Sequence, residues 1–170
     1  MTTIRKARLA DVPLLREMER GFRRDEKHAV LKNDRRLRTY IQATADRDRK
    51  VAEWMRKFIR SRNALVLLAQ SDALPIGFAT ASIETNHGIY GPKRFGFIGF
   101  VFVKRQHRGK GISSLMMKEI LAWFGERQIR YVSLSVMEGN YPARAVWKKF
   151  GFVDFSVWAW AGMKQLLERP

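Results

Sequence analysis

The sequence predicts a single mixed α/β (α+β) domain over residues 1–170, on three observations. Apolar residues make up 46% of the chain and aromatics 12%, enough to build a packed core at a length of 170 residues. The hydrophobic period changes at Asn63, from helical spacing before it to short runs of strand length after it. Turn residues punctuate those later runs, and two further helical stretches lie among them. The predicted order is strand, helices, three strands, helix, strand, helix, strand.

Residues 2–8 (TTIRKAR) form the opening strand. Asp11 is a good helix N-cap, and Val12, Leu15, Met18 and Phe22 follow it at helical spacing. Residues 23–62 read as helical and highly charged. One stripe holds Leu37, Tyr40, Ile41 and Thr44, and a second holds Val51, Trp54, Met55, Phe58 and Ile59. This segment carries fourteen Lys or Arg against six Asp or Glu, close to half of the net positive charge.

Residues 64–70 (ALVLLAQ) make a short strand, 71–75 a turn, and 76–84 the return strand of a hairpin. A glycine-containing loop over 85–94 leads to 95–103 (FGFIGFVFV), whose near-continuous apolar run predicts a strand buried on both faces. A helix beginning near Gly109 turns Ile112, Leu115, Met116, Ile120, Trp123 and Phe124 inward. A strand over 131–136, a helix over 142–150 and a final strand over 152–160 complete the chain. The aromatic tail at 152–160 pairs either within its own sheet or as a dimer edge, so a monomer and a homodimer both stay open.

Composition removes whole classes of chemistry. Cysteine is absent, which excludes a disulfide framework, a Cys-based zinc site and a thiol nucleophile. His28, His87 and His107 are far apart and no HExxH occurs, so no metal centre is expected. The chain has no apolar run of membrane-spanning length, and its first residues lack a signal-peptide apolar segment; the expectation is a cytoplasmic protein. A net charge of +17 suits polyanionic partners, RNA or other nucleic acid among them, and disfavours free polycations as substrates.

The chemistry concentrates at residues 103–114. An apolar strand runs into a loop with two glycines and four Lys or Arg, then into a helix. Successive amides at a helix start, the positive end of its dipole and flanking cations together make an anion site suited to phosphate or pyrophosphate. A Walker A loop is ruled out, because the positions it requires hold Lys104 and Gly111. A dinucleotide fingerprint is ruled out by Ser114 and by the lack of a preceding βαβ unit. What remains is Gln106-x-x-Gly109-x-Gly111.

That pattern resembles the acetyl-coenzyme A loop of the GNAT N-acetyltransferase superfamily. Residues 140–152 resemble the second segment of the same family, with Asn140, Ala143 and Gly151-Phe152 in place, and Gly77-Phe78 fits the second hairpin strand. The resemblance covers essentially the whole chain. It implies a central mixed, mostly antiparallel sheet flanked by helices, with strands splayed at the acetyl-CoA site. It also implies that Val101, Phe102 and Val103 offer backbone groups to the pantetheine arm. The pyrophosphate would lie on amides of His107, Arg108, Gly109, Lys110, Gly111, Ile112 and Ser113, with Arg108 and Lys110 as phosphate cations and Asn140 near the pantetheine. The Ser113 hydroxyl either joins them or satisfies its own backbone.

One departure bears on mechanism. Where many members of the family carry the tyrosine that protonates the leaving thiolate, this sequence has Trp147, whose indole N–H donates a hydrogen bond without giving up its proton. The usual strand carboxylate is also missing from 95–103, which leaves Glu138 and Tyr141 as weak candidates for acid–base work. Two functions follow from the resemblance. One is transfer of acetyl from acetyl-CoA to a primary amine by direct attack. The other is a non-catalytic module that holds acyl-CoA or nucleic acid. In the enzyme reading the basic 23–62 segment lines the acceptor site, favouring an acidic peptide, a phosphorylated amine or an aminoacyl-tRNA.

Overall fold

The computed structural model describes residues 1–89, 91–156, 159, 161 and 163–167. They fall into two compact units, Met1–Asp25 with Thr44–Ser135, and Glu26–Ala43 with Val136–Pro170.

Apolar strands build the first unit. β1 (Thr2–Lys6), β2 (Ala64–Ser71), β3 (Leu74–Thr85), β4 (Arg94–Val103) and β5 (Val132–Leu134) lie in that order in one sheet. β1 to β4 pair antiparallel, and β5 joins β4 in parallel. Successive side chains of β2 face opposite ways, so both faces of the sheet can hold apolar layers. On one face Val66 and Leu68 meet Phe78, Phe102, the start of α1 (Val12–Asn33) through Val12, Leu15 and Met18, and α2 (Arg47–Arg60) through Ala52 and Met55. α3 (Ile112–Gly125) packs on β1 to β4 and buries Met116, Met117, Ile120, Trp123 and Phe124. No helix among the described residues is long and apolar enough to cross a membrane.

In the second unit Val30 is fully buried and a polar tie joins α1 to the turn before the next helix. Asn33 at the end of α1 donates from Nδ2 to the Gly139 carbonyl at 2.9 Å. α4 (Tyr141–Lys149) starts with proline in its first turn, where the missing N–H costs nothing. α5 (Met163–Leu167) ends the described chain.

Several expectations change, among them Leu115 of α3, which is exposed rather than turned inward. Residues 23–62 are not one helical stretch: α1 stops at Asn33, a 3-10 turn spans Arg35–Arg38, and α2 begins only at Arg47. Asp34 takes the Arg36 amide on its side chain at 2.9 Å, an alternative to the helical ladder, and Leu37, Tyr40, Ile41 and Thr44 therefore form no helical stripe. β4 is not buried throughout, since Gly99 is exposed and Phe100 and Val101 are half-buried. Residues 152–156 are not strand, while 157, 158 and 160 lie outside the described residues, as does any test of a dimer edge there. Asp11 directly precedes α1, but its carboxylate accepts the Arg8 amide at 2.7 Å and both arms of the Arg5 guanidinium at 2.8 Å.

Candidate active site

The site in the first unit is built where β4 leaves the sheet. β5 pairs with β4 only from Gly96 to Ile98. On the other side β4 stays paired to β3 as far as Val103, with Val101, Phe102 and Val103 opposite Ala79, Phe78 and Gly77. Gly77 permits this close approach, because a Cβ there would come 2.5 Å from the Phe102 carbonyl oxygen. The β5-facing edge of β4 beyond Ile98 thus has no strand partner among the described residues. Its backbone groups suit an extended, amide-containing ligand such as the pantetheine arm.

The loop that follows makes two left-handed turns. After a 3-10 turn at Arg105–His107, Gly109 has φ +75° and Gly111 has φ +72°. A Cβ on either would meet nothing within 4 Å, so the loop is open on that side. Gly111 is the N-cap of α3 and no side chain caps it. The first bond of the helical ladder runs from the Leu115 amide to the Gly111 carbonyl at 3.0 Å. The amides of Ile112, Ser113 and Ser114 precede that ladder and have no intrahelical acceptor. With the positive end of the dipole of a 14-residue helix behind them, they fit a pyrophosphate.

The cations of the loop divide. Lys110 is exposed. Arg105 and Arg108 both reach back to Asp25 of α1, at 2.8 and 2.5 Å. Arg108 also donates from Nε to the Val103 carbonyl at 2.8 Å and lies over the Phe102 ring at 5.7 Å. Arg108 therefore fastens the loop to β4 and α1, as well as bringing charge to it. Burial alone would raise the Asp25 carboxyl, but the hydrogen bonds from Arg108 and Arg105 outweigh it and hold Asp25 below the usual carboxylate range. His107 and Ser113 are half-buried at the rim, and Ile112 is buried.

A second feature of this unit escaped sequence reasoning. Glu19 of α1 is 2% exposed. It opens on a pocket of about 320 Å³ lined also by Arg23, Arg47, Lys50, Trp54 and Phe100. Arg23 bonds one Glu19 oxygen at 3.2 Å and Arg47 the other. The signal was present: Glu19 is the one charge among Leu15, Met18 and Phe22 on the apolar face of its helix.

In the second unit the predicted residues are engaged differently. The Asn140 side chain makes no cap bond to α4. Both Glu138 oxygens accept from Arg144 at 2.7 Å, and Arg144 also reaches Asp154 at 2.9 Å. Tyr141 is 53% exposed. The Trp147 ring is packed by Phe150 at 5.9 Å and edge-on by Phe152 at 5.7 Å. Among the described residues no three His, Cys, Asp or Glu side chains gather as a metal site.

Comparison with known proteins agrees with this architecture. A predicted acetyltransferase from Clostridium acetobutylicum, solved with acetyl-CoA, matches with a TM-score of 0.76 and 22% identity over 97% of this chain and 98% of its own. A GCN5-related N-acetyltransferase from Ralstonia eutropha matches at 0.73 with 15% identity over 95% and 98%. An aminoglycoside N-acetyltransferase in complex with CoA matches at 0.71 with 14% identity over 96% and 95%. These likenesses show the fold, a mixed sheet with flanking helices. No curated protein sequence matches. The model of the acetyltransferase (GNAT) family matches residues 22–152, most of the chain and both motif regions, and the chain belongs to that family.

Proposed function

We propose that the protein transfers the acetyl group of acetyl-CoA to a primary amine by direct attack, within one domain that spans residues 1–170. The carrying observation is the open loop at Gly109 and Gly111 running into an α3 start that no side chain caps. In this reading the amides from His107 to Ser113 hold the pyrophosphate, and Lys110 adds a cation at the surface. Val101, Phe102 and Val103 present the unpaired edge of β4 to the pantetheine arm. Asn140, whose side chain is not used as a cap, adds a polar contact to the arm.

The amine nitrogen attacks the thioester carbonyl carbon. The C–N bond forms, the C–S bond breaks, the coenzyme A thiolate leaves and takes up a proton, and the amine loses one. The chain has no Cys to carry an acyl intermediate, which favours the direct route. Of the two acid–base candidates, Tyr141 is favoured, because Glu138 would first have to leave Arg144. Trp147 supplies packing in place of the family's proton donor, so positioning carries most of the rate and acid–base help the smaller part, about 10²–10⁴-fold. The basic charge of the chain favours an acceptor of negative character.

Calorimetry with acetyl-CoA, followed by thiol release with a mixed panel of primary amines, tests this. Binding with steady turnover is the expected result. Binding without turnover would make the protein an acyl-CoA-holding module, and absence of binding would overturn both.

A further inference from the structure

We propose that the pocket holding Glu19 seats the acceptor, and that this acceptor is a small primary amine bearing a carboxylate or phosphate on a flat or apolar body. The proposal rests on the transferase reading above and deepens it. At about 320 Å³ the pocket lies at the lower end of small-molecule sites, roughly 300–1,000 Å³. One wall is aromatic: Trp54 and Phe100 lie 5.5 Å apart, nearly perpendicular. Such a wall packs a planar or aliphatic body.

The polar side is built around a carboxylate whose two oxygens are both engaged. Glu19 is buried and each of its oxygens already accepts from a guanidinium. What it does is hold those two guanidinium groups in place. Arg23 is fixed a second time, with its guanidinium 5.2 Å from the centre of the Phe100 ring. Arg47 bonds Glu19 and, through its other terminal nitrogen, Asp48 at 3.0 Å, which uses only part of its donor set. Lys50 also lines the pocket, paired with Asp46 at 3.0 Å. The N–H donors that Arg47 does not spend on Glu19 and Asp48 suit a carboxylate or phosphate oxygen of the acceptor. Glu19, the carboxylate lining the pocket, is already neutralised, so a polyamine finds no seat for a second ammonium.

The pocket also lies in the right place along the chain. Phe100 immediately precedes Val101, where the unpaired edge proposed for the pantetheine arm continues. An amine anchored by Arg47 and resting on Phe100 is therefore brought next to the segment that would present the thioester.

The test uses the full chain. Calorimetry with acetyl-CoA alone comes first; failure there overturns the transferase reading, whatever the pocket binds. With CoA bound, four probes are then titrated: L-phenylalanine, O-phosphoethanolamine, phenethylamine and spermidine. The expected result is that one anionic amine binds at least about tenfold tighter than phenethylamine and spermidine. L-phenylalanine presents a carboxylate on a flat body, and O-phosphoethanolamine a phosphate on a short chain. Removing Arg47 outright would strip a partner from buried Glu19, so Arg47→Lys, which keeps a cation there, carries the variant arm. It should weaken the anionic preference several-fold, through loss of the guanidinium's donor geometry, and leave acetyl-CoA affinity unchanged. Equal or tighter binding of phenethylamine or spermidine, no binding of either anionic amine, or a preference unaltered in Arg47→Lys would overturn the proposal.

Discussion

The loop before α3 and the turn before α4 are both marked by left-handed glycines, yet they commit their polar groups in opposite ways. At Gly109 and Gly111 the backbone is open, with nothing within 4 Å of an added Cβ, and the following amides have no internal acceptor. At Gly139 (φ +84°) the backbone is packed: an added Cβ would come 3.4 Å from the Val30 carbonyl oxygen, and the Gly139 carbonyl accepts from Asn33. Side chains show the same contrast. Those beside the second turn satisfy one another, through Glu138, Arg144 and Asp154 and through the Trp147, Phe150 and Phe152 rings. Those beside the first fasten the loop to its neighbours while its amides stay available. The two segments thus differ in what they leave open: the first keeps backbone amides unspent, and the second closes its glycine turn on its neighbours.

That contrast breaks most sharply at Gly111. Gly111→Val puts a branched side chain on the open face of the loop and strains a φ of +72°, at roughly 1–2 kcal/mol of stability. Acetyl-CoA affinity should fall at least about 100-fold in calorimetry, the worth of one or two charged hydrogen bonds, while circular dichroism reports a folded protein. Retained affinity would place the cofactor elsewhere. Arg108→Ala should follow with a loss of about tenfold, because the amides remain while their tie to Val103 and Asp25 goes.

Trp147→Ala should show the reverse pattern. A half-buried aromatic between two rings is worth about half of a fully buried one, about 2 kcal/mol of stability by chemical denaturation, with acetyl-CoA affinity changed less than about twofold. The smallest effect is expected in acid. The Asp25 carboxyl is held below its unfolded value, so its contribution is complete above about pH 3.9 and is lost as pH falls through the folded value. Asp25→Asn should therefore flatten the acid limb of the stability curve below that pH and leave the limb above pH 7 unchanged.

How much of this was legible follows from the range of each interaction. β2 to β4 and α3 were readable because their apolar spacing is local and strong, and the 103–113 loop because strand, glycines, cations and helix lie in one stretch. The break at residues 34–46 was not, since Asp34 competes with the helix through a side-chain bond that periodicity does not register. Arg108 read as a phosphate cation, and its bond to Asp25, 83 residues away, could not be seen in sequence. Glu19 was passed over because its arginine partner Arg47 comes 28 residues later, although a charge on an apolar helix face is itself a warning.

The short β4–β5 ladder carries a cost of its own. Among the described residues, the β4 edge ends its pairing with β5 at Ile98 and runs on to Val103 with backbone donors and acceptors that lack a strand partner, the kind of edge that pairs with another chain. Proteins commonly blunt such edges with charge, and this chain carries +17 overall. Like-charged copies repel one another over the roughly 8–10 Å that ionic screening allows at physiological salt, and over only about 3 Å at 1 M. A charge of +17 opposes association of copies along β4, and colloidal stability is expected to fade in concentrated salt before the fold does.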